Sequence, residues 1–107
     1  MTADEFRATA LKVTGAIESA HMNHPDFRVK GRIFASLGYP DGGWGMVKLK
    51  PEQQRAFMKE APAMFSACAG AWGKAGATSV HLASARKRIL IKAFRVASEN
   101  IMNPAKA

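Results

Sequence analysis

Arg86, Lys87, Arg88, Lys92 and Arg95 put five cations and no carboxylate into the twelve residues from Ser84 to Arg95. Guanidinium and ammonium groups at that density do one kind of chemistry: they hold anions, phosphate above all, through charge-assisted hydrogen bonds. The neighbourhood adds to the signal, because no acid lies between Glu60 and Glu99, whereas Lys74 and these five cations do. Arg86 and Lys87 fall where a helix should start after Ser84, in a first turn whose macrodipole favours anions. A phosphate arriving there meets free backbone N–H groups as well as the two side chains. The plainer alternative is a solvated basic end whose small cost is tolerated. Lys12, Lys48, Lys50 and Lys74 are candidates to extend the patch.

Other residues with chemical potential are scattered. His21 and His24 have an H-x-x-H spacing, but they precede a strand and have no second cluster beyond His81 and Cys68, so no metal site is expected. Cys68 is the single cysteine and has no sequence neighbour that marks a nucleophile. No serine elbow, glycine-rich phosphate loop or paired-carboxylate motif occurs, so neither catalysis nor a cofactor is expected. Asp26 is expected to accept backbone hydrogen bonds or to pair with Arg28. Trp44 and Trp72 stand beside glycines, which leaves room for base stacking, although core or turn packing is the favoured role. Met22, Met46, Met58 and Met64 read as core filling.

These groups must be positioned by a mixed set of elements. Thr2 and Glu5 have capping-box spacing, and Phe6, Ala10, Val13 and Ile17 recur at helical intervals, predicting a first helix over about 3–19. "HPDFRV", "RIFASL" and "WGMVKL" then read as three antiparallel strands separated by "KG" and "GYPDGG". A three-residue loop at Lys30, Gly31 and Arg32 pairs Val29 with Ile33 and places Phe27, Val29, Ile33, Ala35 and Leu37 on one face, with Arg28 on the other. Pro51 opens a second helix that Pro62 stops. "CAGAWG" and "ATSVHL" read as two further strands, with Thr78, Val80 and Leu82 on one face and Ser79 and His81 on the other. Ser84 caps a closing helix with a Leu90, Phe94, Ala97, Ile101 stripe opposite Arg88, Lys92 and Arg95. The expected architecture is α+β, two-layer, α-β3-α-β2-α, with one antiparallel five-stranded sheet covered by helices.

The segment from His21 through Gln54, with "SACAGAWG" and "TSVHLASA", resembles the MmcQ/YjbR family of small bacterial proteins over nearly the whole chain. The most specific matching residues are His24, Pro25, Asp26, Phe27, Arg28 and Val29, then Ile33, Phe34 and Ala35, Trp44, and Gly70, Ala71, Trp72 and Gly73. The resemblance implies the same α-β3-α-β2-α order and a likeness to secretion-chaperone domains. It also implies a DNA-binding label that rests on likening the fold to a paired-wing arrangement, and it supplies no catalytic residues.

The chain has 107 residues, the size of one domain, and a net charge of +8. That charge points to an acidic partner: nucleic acid, an anionic membrane surface or an acidic protein. No apolar run reaches the roughly 18–20 residues that span a bilayer, so membrane insertion is not expected. The acidic start "MTADEF" is unlike a signal peptide, and with one cysteine it suggests a cytoplasmic protein. The leading expectation is a non-enzymatic module that binds DNA or another polyanion through its basic C-terminal helix. The alternative is a protein-interaction or chaperone-like module, with a protein partner or homodimer.

Overall fold

The computed structural model describes residues 1–104. Its elements run α1 (Ala3–Leu11), β1 (Ile17–His21), β2 (His24–Val29), β3 (Arg32–Leu37), β4 (Trp44–Lys48), α2 (Pro51–Glu60), β5 (Phe65–Ala67), α3 (Gly70–Lys74), β6 (Ala77–His81), a 3-10 turn (Leu82–Ser84) and α4 (Lys87–Met102). All strands join one antiparallel sheet in the order β1-β2-β3-β4-β6-β5. The α+β class and the single antiparallel sheet agree with the sequence. The strand count does not, since the sheet has six strands rather than five.

The sixth strand comes from the C-terminal part of the predicted first helix. Thr2 and Glu5 make the expected capping box, Glu5 N–H donating to Thr2 Oγ1 at 3.1 Å and Thr2 N–H to Glu5 Oε1 at 2.9 Å. The helix nevertheless stops at Leu11. Val13 and Thr14 are β-branched, and Gly15 adopts φ +80, which ends the helical path. Ile17, predicted on the buried stripe, therefore lies in edge strand β1 and is 59% exposed.

A second correction concerns "CAGAWG". The strand preceding β6 is Phe65–Ala67, and Gly70–Lys74 forms a short helix in place of most of the predicted strand. Gly70 at φ +70 makes the turn into it. The β2–β3 turn also differs, because Lys30 (φ 50) and Gly31 (φ 75) form a two-residue loop that pairs Val29 with Arg32. A bulge beside Phe27 and Arg28 then restores Phe27 opposite Ala35. Ile33 is thereby turned away from the main core and packs with Met46, Cys68 and Ala77.

Helices α1, α2 and α4 cover one sheet face. Leu90, Phe94 and Ala97 of α4 are buried against it, as the stripe predicted, with Ile101 packed at the margin. Phe94 is the hinge of the packing, edge-on to Phe6 of α1 at 5.1 Å and to Phe34 of β3 at 5.7 Å. Such aromatic pairs add about 0.5–1.5 kcal/mol beyond area burial. Thr78, Val80 and Leu82 are buried in the same core as predicted, while Ser79 meets Cys68 on the opposite face, Oγ to Sγ 3.3 Å. Met22, expected in the core, sits at the β1–β2 turn and is 87% exposed. No helix among the described residues is long and apolar enough to cross a membrane.

Candidate functional site

Two groups of residues singled out by sequence take separate places. The first is the basic helix α4. Its N-cap is Arg86 rather than Ser84, because Leu82–Ser84 closes into a 3-10 turn and Ala85 is extended. Ser84 Oγ is instead 3.0 Å from His81 Nδ1, and no side chain caps α4. Arg86 therefore stands at the cap, with Lys87 and Arg88 as the first two helical residues, all exposed. Arg86, Arg88 and Lys92 share a shallow depression with Glu60 of α2, and Lys92 Nζ lies 3.3 Å from both Glu60 oxygens and 5.9 Å from the Phe57 ring centre. Glu60 is the one carboxylate ion-paired with the five α4 cations among the described residues.

Lys87 and Arg95 point elsewhere. Arg95 lines a groove between α1 and α4 with Lys12 and Glu99. Lys87 lies within electrostatic reach of Glu5, whose carboxyl is held below the usual range first by the Thr2 backbone and hydroxyl and, more weakly, by the chain's amino terminus and Lys87. Lys12 thus extends the α4 surface, whereas Lys48 and Lys50 do not. They lie beside Asn100 and Ile101, at the opposite end of α4 from Arg86.

The second group is the set of motif residues, gathered on the sheet face away from α4. Asp26 on β2 is completely buried, and it is held on both oxygens: Arg28 donates Nε to Oδ1 at 2.7 Å and Nη2 to Oδ2 at 3.1 Å, and His21 Nδ1 lies 2.8 Å from Oδ2. Residues 26 and 28 share a face because strand side chains alternate, and His21 lies on the neighbouring strand β1. Arg28, ahead of a smaller contribution from His21, holds the Asp26 carboxyl below the ordinary aspartate value against the opposing effect of burial. Pairing with Arg28, one of the two expectations for Asp26, is thus its actual role.

Aromatic rings extend from this charge cluster. His24 lies 6.4 Å from both His21 and Tyr39, and Tyr39 meets Trp72 of α3 edge-on at 6.2 Å. Trp72 and Tyr39 are 41% and 47% exposed, so Trp72 is a surface residue. Trp44 is half-buried and leans on His81 with ring centres 4.7 Å apart. Tyr39 carried no sequence signal beyond its place in a turn. Pro25 and Phe27 serve the fold, Pro25 opposite Ala20 of edge strand β1 and Phe27 in the core.

Burial raises the Cys68 thiol, countered in part by Ser79, so it is not the thiolate that nucleophilic chemistry needs. Among the described residues no group of three or more His, Cys, Asp or Glu is placed to hold a metal ion.

Gly73 explains part of the "GAWG" motif. A Cβ there would collide with the Cys68 carbonyl, while Gly73's own carbonyl accepts from the buried Gln54 amide at 3.0 Å. Gly73→Ala is expected to destabilise the protein by at least about 2 kcal/mol, because backbone rather than a flexible side chain must move. The denaturant midpoint reads the effect.

A family model described as YjbR matches residues 11–96. No curated protein matches the chain. A crystal structure of a Deinococcus radiodurans protein with a DUF419 domain superposes with a TM-score of 0.77, covering 97% of this chain and 80% of that one. At 16% identity this likeness is one of fold. Since the matched residues hold both the Asp26 cluster and the α4 cations, and make up most of the sequence, the chain belongs to the YjbR family.

Proposed function

We propose that this is a small, non-enzymatic cytoplasmic protein that binds DNA through its phosphates, using the exposed cations of α4 with little base specificity. The observation that carries the reading is the charge of that helix: five exposed cations against one pairing carboxylate, Glu60. An uncapped helix start held by Arg86, Lys87 and Arg88 is locally unfavourable, and such departures concentrate where a ligand compensates them. The DNA-binding label implied by the family resemblance points the same way.

Phosphate neutralisation releases counterions, so the logarithm of affinity should fall linearly with that of salt at about 0.9 per phosphate, giving a slope of roughly −4.5 if all five cations engage. Fluorescence anisotropy on duplexes of two unrelated sequences measures this. Absence of binding at low salt, or affinity indifferent to salt, removes the proposal.

A second reading has its own support. Trp72 and Tyr39 form an exposed aromatic pair on the face that α4 does not cover, as a protein-interaction or chaperone-like module would use. Under it, Trp72→Ala weakens capture of a protein partner or self-association measured by sedimentation, and leaves DNA titrations as they are.

A further inference from the structure

A groove at the hairpin end of the sheet gathers a second set of cations, separate from those of α4. It runs between the β2–β3 turn, the end of β4 and the last turns of α4. Arg28, Arg32, Lys48 and Lys50 line it over a wall that includes Leu49 and Ile101, and none of its lining residues is acidic. These cations come from β2, β3, β4 and the cap of α2, so only the fold assembles them. Among the described residues Arg32, Lys48 and Lys50 have no carboxylate within ion-pair distance.

Two features make this a built site rather than a solvated fringe. Arg28 is held by the buried Asp26 through Nε and Nη2, which fixes the guanidinium and offsets its charge. The groove wall is also tied together: Gln53 and Asn100 exchange hydrogen bonds of 3.1 and 2.8 Å, and Gln53 Oε1 accepts the Lys50 N–H at 2.9 Å. The three unpaired charges of Arg32, Lys48 and Lys50, drawn into one concavity, repel one another, and an anion with several closely spaced charges relieves all of them together. An arginine fork and two ammonium groups suit the oxygens of a phosphate chain, whose charges follow one another closely along one ligand.

We propose that this groove binds a linear oligophosphate, either inorganic or the phosphate chain of a nucleoside triphosphate. None of the five α4 cations lines it, so it stands apart from the DNA reading and the two can fail separately.

The test is calorimetric titration of the full chain with tripolyphosphate and, separately, with a nucleoside triphosphate at low salt. Arg32→Gln with Lys48→Gln should weaken both by at least about tenfold, whereas Arg88→Gln should leave them unchanged. Both changed residues are exposed, and a melting curve verifies that the variants are folded. Equal affinity for the two ligands assigns recognition to the phosphate chain alone, and tighter binding of the nucleoside triphosphate adds a contact to the nucleoside. Backbone amide shifts induced by tripolyphosphate should centre on Gly31 and residues 48–50. No saturable binding of either ligand, or an equal loss from Arg88→Gln, overturns the proposal.

Discussion

Asp26→Asn lowers the stability of the protein by about 3 kcal/mol at neutral pH, the scale expected when one partner of a buried ion pair is removed. The carboxylate is completely buried and accepts from Arg28 twice and from His21, and the amide that replaces it cannot accept on both atoms. Arg28 and His21 keep some access to water, with side chains 28% and 40% exposed, which holds the figure to the low end of the range for buried pairs. The pH dependence provides a second readout. The folded-state pKa of Asp26 is lowered, so the unfolded chain binds more protons as the pH falls through the ordinary aspartate value near 3.9. The stability from this group is therefore complete above that value and is lost as the pH drops toward the folded pKa. Urea midpoints taken from pH 7 to pH 3 should show a declining acid limb in the native protein and a flatter one in the variant. The exposed Glu5 carboxyl, also lowered, contributes to both curves alike and cancels in the comparison. Equal acid limbs, or a loss well under 1 kcal/mol, would show that Asp26 is not holding this face together.

That cluster was only partly legible in the sequence. Arg28 two residues after Asp26 in a strand-like run places both on one face by alternation alone. His21 is not reached by that argument, since the periodicity assigns most of its own strand β1 to the first helix. The apolar repeat Phe6, Ala10, Val13, Ile17 fits a helix numerically, and periodicity outweighed the local evidence of Val13, Thr14 and Gly15. The strand is recovered only through its pairing with β2, a tertiary fact. "CAGAWG" failed for a related reason: a five-residue helix entered through Gly70 is too short to display a period. The strong stripe of α4 was read correctly because burial on one side of a 16-residue helix imprints the sequence several times over. The groove at Arg32, Lys48 and Lys50 is not legible in the sequence as a unit: Lys48 and Lys50 stand out only as candidate extensions of the basic helix, and the cations come from separate elements.

Exchanging charge at the start of α4 separates what that helix contributes to the fold from what it contributes to binding. Arg86 is an N-cap with extended backbone, φ −109 and ψ 127, and its side chain makes no capping hydrogen bond. Arg86→Asp supplies an acceptor for the N–H of Arg88 or Ile89, a contact worth about 0.5–2 kcal/mol. Lys87→Glu and Arg88→Glu then place acids where the macrodipole favours them, worth a few tenths of a kcal/mol each, although Lys87→Glu also gives up a weak attraction to the exposed Glu5. The triple variant should therefore be more stable than the native protein by about 1 kcal/mol, because the buried Leu90, Phe94 and Ala97 that hold α4 are untouched. Lys92 is left in place, since Lys92→Glu would set a second carboxylate against Glu60 and confuse the two effects. If α4 is the DNA surface, the same triple variant loses duplex binding, and any residual salt slope is shallower by about three. Thermal melting and anisotropy on one preparation decide the matter. Higher stability with binding intact would move the DNA contact off this helix end, and lower stability would mean that the cations at the cap are needed for the fold itself.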